Sequence, residues 1–129
     1  MAGAAPRLIV EPGGLLSGRT GGPWRAVWVV RNEGDRPVAI VRGWHPHGRF
    51  RSSRRRLDLR LRAGHYATFA LPARTDVRRR EVIANAFLIL DLTSARRRWR
   101  LVARLRLRGR AGAPPRVTVE AIDVHPATD

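Results

Sequence analysis

Apolar and polar residues alternate along most of this chain with the two-residue period of an extended strand. The clearest stretch runs from Arg98 to Arg108. Trp99, Leu101, Ala103, Leu105 and Leu107 take one side, and Arg98, Arg100, Arg104, Arg106 and Arg108 take the other with Val102. Residues 56–62 repeat the pattern, with Leu57, Leu59 and Leu61 inward and Arg56, Asp58, Arg60 and Arg62 outward. Trp24–Asn32 is β-branched and aromatic, and places Trp24, Ala26, Trp28 and Val30 on one face. Further strands are predicted at Arg7–Glu11, Pro37–Arg42, His65–Leu71 and Arg116–Val124. Val82–Leu92 is the most apolar stretch and reads as a central strand, with a buried helix as the alternative on its Ala84, Ala86 and Leu88. Asn32–Asp35 reads as a turn that makes Trp24–Arg42 a hairpin, and Gly43–Gly48 as a break. Pro12–Pro23, with five glycines and two prolines, reads as a loop that supports neither helix nor strand. Ala73–Glu81 is a polar connection and Gly109–Pro115 a second loop.

Seven or eight short strands separated by turns, with no convincing helix, predict an all-β antiparallel sandwich. At 129 residues the chain has room for one domain. We place it at residues 7–124, between a loose arm at 1–6 and a tail at 125–129. Two segments are similar to bacterial immunoglobulin-like domains of the fibronectin type III kind. Asn32-Glu-Gly-Asp-Arg-Pro-Val-Ala-Ile-Val41 resembles their N-x-G-x-x-P-V hairpin, and Leu61-Arg-Ala-Gly-His-Tyr-Ala-Thr-Phe-Ala-Leu71 resembles a strand pair with a glycine turn. The resemblance covers about residues 24–124 and implies an Ig-like sandwich serving as a binding, spacer or assembly module. It carries over no functional residue, and the cysteine pair of the antibody branch is missing.

Charge changes the picture most. The chain has 26 basic side chains against 10 acidic ones, a formal net charge of +16, and every basic residue is arginine. A GC-rich genome explains arginine in place of lysine but not the imbalance. A surplus of this size repels itself and attracts polyanions, and guanidinium forks bidentately onto phosphate or carboxylate. The stripe Arg98, Arg100, Arg104, Arg106 and Arg108 extends over about 33 Å at ~3.3 Å per residue. Were it to share a side with Arg56, Arg60 and Arg62, the result would be a cationic plane suited to phosphate backbones through counterion release, without sequence readout. Only Tyr66, Phe50 and Trp44 remain as stacking platforms beside it. Outward arginines also guard a strand edge against aggregation.

The remaining chemistry is sparse. There is no cysteine, so disulfides and thiolate sites are excluded. No apolar run reaches the ~20 residues of a membrane helix. The first residues show no export signal, which predicts a cytoplasmic location unless a leader has been removed. Gly13–Thr20 imitates a phosphate-binding loop with Arg19 in the lysine position, and Phe87–Asp91 imitates its magnesium strand. Gly21-Gly22-Pro23, however, prevents the helix such a loop needs. His45 and His47, with His65 or His125 as a third ligand, form a candidate divalent-metal site. Ser17, Ser52, Ser53 and Ser94 stand in no nucleophile elbow, and Asp58 among arginines reads as a charge partner. The expectation is a non-catalytic interaction module with no cofactor. Its partner would be a protein or a second copy, or alternatively nucleic acid or another polyanion.

Overall fold

A computed structural model describes residues 4–16 and 24–127. It contains eight strands: β1 (Leu8–Leu16), β2 (Trp24–Asn32), β3 (Val38–His47), β4 (Phe50–Leu61), β5 (Tyr66–Thr75), β6 (Val82–Ser94), β7 (Arg97–Arg110) and β8 (Ala113–Pro126). There is no helix among the described residues, and Val82–Leu92 is extended throughout. All neighbours pair antiparallel in the order β1-β2-β5-β4-β3-β6-β7-β8, and β1 approaches β8 to within 8 Å, so the sheet curls into a nearly closed barrel.

The alternation in the sequence maps onto inside and outside. In β7, Trp99, Leu101, Ala103, Leu105 and Leu107 are buried while the intervening arginines face outward. Ala26, Trp28 and Val30 of β2 and Leu61 of β4 are also buried, with Leu57 and Leu59 packed against the same core. Each fully buried leucine removes enough apolar surface to contribute roughly 1.5–3 kcal/mol, so one-residue slips in register are strongly opposed.

Several expectations are corrected. β2 does not form a hairpin with β3; it lies between β1 and β5, and the Asn32–Pro37 segment carries the chain across to pair β3 with β4 and β6. Gly43–Gly48 does not break β3, which runs on to His47 through two bulges and turns at Gly48-Arg49 into β4. Gly43 permits this because a Cβ there would lie 2.8 Å from Leu90 Cδ2. Pro12-Gly-Gly does not end β1 either. The proline sits on a strand at one end of the order, where a missing N–H is tolerated, and Gly14 takes up the bulge with φ 109°. The rest of the loop that imitates a phosphate site, Ser17–Thr20 and on to Pro23, lies outside the described residues. The β6–β7 hairpin turns through Ala95 and Arg96, both at positive φ, a geometry that suits the right-handed twist of its strands.

One buried polar side chain ties the barrel end together. Asn32 Nδ2 donates to the carbonyls of Arg36 (2.8 Å) and Leu61 (3.1 Å), and its Oδ1 accepts from Gly34 N (3.0 Å). The backbone of Asn32 also bonds to His65 and Gly64, so one residue clasps β2, the following turn and the β4–β5 turn. Asn32→Asp keeps the shape but replaces the donor with an oxygen facing two carbonyls. Loss of two buried bonds should cost about 2–4 kcal/mol and lower the melting temperature by about 10 °C. A thermal scan giving a midpoint close to that of the parent chain would show that the clasp is not structural.

Candidate functional site

Arg56 and Arg60 of β4 do share the outer side with Arg98 and Arg100 of β7. Arg56 pairs with Arg42 of β3, Arg42 with Asp91 of β6, Asp91 with Arg100 of β7 and Arg100 with His125 of β8, and directly paired residues project to the same face. The two stripes are three strand intervals apart, about 14 Å at the usual spacing.

This face is not uniformly charged. At its centre Asp91 accepts from Arg100 Nε at 2.9 Å and lies 3.7 Å from Arg42 Nε. The Trp44 ring is covered by the guanidinium groups of Arg54 at 4.5 Å and Arg100 at 5.3 Å. Arg56 is held by Asp58 at 2.8 Å, as Asp58 among arginines predicts. Arg98 is likewise engaged within the fold. The central arginines therefore build the surface as much as they charge it. Arg60 and Arg62 toward one end, and Arg104, Arg106 and Arg108 toward the other, have no carboxylate partner among the described residues. Arg108 stands directly opposite Arg116 of β8. The stacking platforms are reduced: Phe50 is fully buried and Trp44 is capped by arginines, which leaves Tyr66 exposed.

The histidines are dispersed. His45 is buried in the core, with its ring 4.5 Å from Phe50 and 5.9 Å from Trp28. His47 is half-buried and its Nδ1 accepts from Arg49 N at 3.0 Å. His65 belongs to the β4–β5 turn, beyond the opposite end of β4. No group of three or more His, Cys, Asp or Glu side chains comes together among the described residues.

His45 has a defined proton arrangement. Trp28 Nε1–H can only donate, and it lies 3.2 Å from His45 Nε2. Nε2 must therefore carry the lone pair, which places the proton of the neutral ring on Nδ1. Nδ1–H then donates to Ser52 Oγ at 3.0 Å, and His45 N–H donates to the same oxygen at 3.0 Å. Burial lowers the His45 pKa from 6.5 to about 3, which keeps the ring neutral. With its lone pair committed to Trp28, this ring cannot take a proton from Ser52, so the pair does not constitute a nucleophile and its base.

A second polar knot anchors the β5–β6 connection. Arg49 donates to both Glu81 oxygens (2.6 and 3.1 Å) and to Asp76 (2.7 Å). The hydrogen bonds from Arg49 hold the Glu81 carboxyl down at about 2 and push the guanidinium upward.

Compared with known proteins, the chain matches no family model, no curated protein and no solved structure. The geometry itself thus carries the functional reading. The Trp28–His45–Ser52 chain was not visible in the sequence, because its members lie on three strands and no local spacing marks them. The commitment of Arg100 to Asp91 has only a faint signal, a lone acid in the apolar run of β6.

Proposed function

We propose that this chain is a non-catalytic Ig-like β-sandwich module that binds a polyanion through the outer arginines of β7. The strand order supports the fold reading. In immunoglobulin lettering β1-β2-β5 corresponds to A-B-E, β3-β6-β7 to C-F-G, and β4 lies between the two layers. β4 pairs with β3 along most of its length and with β5 only at Phe50–Thr75 and Arg51–Arg74, so the two layers are joined there by a narrow bridge. The fibronectin type III variant orders its first seven strands in this way; here β8 is an added strand, and its approach to β1 nearly closes the side that an open sandwich leaves apart.

The observation that carries the binding reading is the run Arg104, Arg106 and Arg108, exposed and without carboxylate partners among the described residues, with Arg116 across the ladder. Like charges placed opposite each other destabilise a sheet, and a phosphate backbone laid along β7 relieves that repulsion while releasing counterions. The scarcity of exposed aromatics favours backbone contact over base reading.

The test is a salt-dependent fluorescence titration with labelled single- and double-stranded DNA. Binding should weaken steeply with salt. Replacing Arg104, Arg106 and Arg108 together by Gln should reduce the slope of log K against log salt by about 2–3 units, at ~0.7–0.9 per phosphate contact. No binding at low salt, or a slope unchanged by the triple variant, would sink this reading.

A further inference from the structure

We infer that the gap between β4 and β5 is a phosphate-binding cleft, separate from the outer β7 face. After the two residue pairs at Phe50–Thr75 and Arg51–Arg74, the strands part: Ser52 onward follows β3, and Pro72 backward follows β2. The divergence opens a cleft of about 720 Å³. Arg51, Arg55 and Arg74 line it with Ser52 and Ser53, and His45 lies at its inner wall.

Three independent features point to an oxyanion. Arg51 and Arg74 are direct cross-strand partners, a like-charge pairing that costs stability unless an anion lies between them. None of the three arginines has a carboxylate partner among the described residues, and no acidic residue lines the cleft. The third feature is directional. Ser52 Oγ has two acceptor positions, and both are filled, by His45 N–H and by His45 Nδ1–H. Its own O–H is the one group of the chain Trp28→His45→Ser52 left to donate, and no acceptor for it lies among the described residues. A relay whose remaining donor is the Ser52 hydroxyl, in a cleft that three arginines line, is matched by a ligand that only accepts. A phosphate dianion has that character: several acceptor oxygens, a charge near −2, and a geometry that arginine forks engage bidentately. The cleft is far larger than one phosphate group, so it also admits the remainder of a phosphate monoester.

Inorganic phosphate and O-phosphoserine are the probes, titrated by calorimetry at fixed ionic strength with chloride as the control anion. Binding of either probe with no response to chloride is expected. O-phosphoserine binding more tightly than inorganic phosphate identifies a monoester as the ligand, and equal affinity identifies the free anion. Arg55→Gln/Arg74→Gln should weaken phosphate binding at least tenfold, while the Arg104/Arg106/Arg108 triple variant, which tests the β7 face, leaves it unchanged. By NMR, phosphate should move the His45 Nδ1 resonance, because a Ser52 hydroxyl that donates outward strengthens its acceptance from the ring. Equal phosphate affinity in the parent chain and the Arg55/Arg74 variant, or saturation with phosphate without any change at His45, would overturn the assignment.

Discussion

Acidification from pH 7 to pH 3 should remove on the order of 4 kcal/mol of folding stability through His45 alone. In the fold its ring is neutral and its pKa is lowered to about 3 by burial, whereas in the unfolded chain it titrates near 6.5. Between those values the unfolded state binds the extra proton, so stability is complete above pH 6.5 and is lost as the pH falls toward 3. The loss approaches about 1.4 kcal/mol per pH unit. The geometry supplies the reason: a proton on Nε2 would face the Trp28 indole N–H at 3.2 Å, and the charge would sit in a core of Phe50 and Trp28. Glu81 also loses its stabilising role in acid, but only as the pH drops through 4.5 toward 2. The window from 6.5 to 5 therefore isolates the histidine from the carboxylates. Urea unfolding followed by circular dichroism at several pH values measures the slope. His45→Gln should be less stable at pH 7 by about 1–3 kcal/mol, through the altered hydrogen bonds, and should show a flatter pH dependence than the parent chain. Parallel curves for the two proteins would mean that His45 does not report on folding.

Gly109→Ala should be the most disruptive alanine substitution among the described glycines. A Cβ at this position would lie 1.8 Å from the carbonyl oxygen of Arg78 and 2.6 Å from its carbon, both backbone atoms that no rotamer change can move. The β5–β6 connection would have to lift from β7, breaking Arg80 N–H to Gly109 O (3.1 Å) and Gly109 N–H to Glu81 O (2.9 Å). It would also pull Glu81 away from Arg49. Two lost backbone bonds and a displaced loop together amount to about 2–4 kcal/mol. Hydrogen exchange should show the amides of Arg80, Glu81 and Gly109 losing protection first. A variant with the parent melting temperature and protected amides would mean that the loop sits elsewhere in solution.

The contrast between these positions shows what can be read along a chain. The leucine–arginine register of β7 is legible because pleating alone sends alternate side chains to opposite faces. The contact at Gly109 is invisible, since nothing local distinguishes it from a turn glycine. Pro12-Gly-Gly and Gly43–Gly48 misled in the same way. Residues that break an isolated strand are accommodated at a sheet end or a bulge, where neighbouring strands compensate for the missing bond or the irregular twist. The candidate arginines were likewise legible as exposed, but not as partnered or unpartnered: Arg56 and Arg100 have acidic companions and Arg104 and Arg108 do not.

Composition and period by themselves determined that this protein is built of antiparallel strands, with one side apolar and the other rich in guanidinium, because both properties depend only on neighbouring residues. Tertiary structure alone decided which strands are neighbours, that Asp91 neutralises the centre of the outer face, and that Trp28, His45 and Ser52 meet beside an arginine-lined gap. Those contacts join residues far apart in the chain, and their energies exist only once the sheet has closed around them.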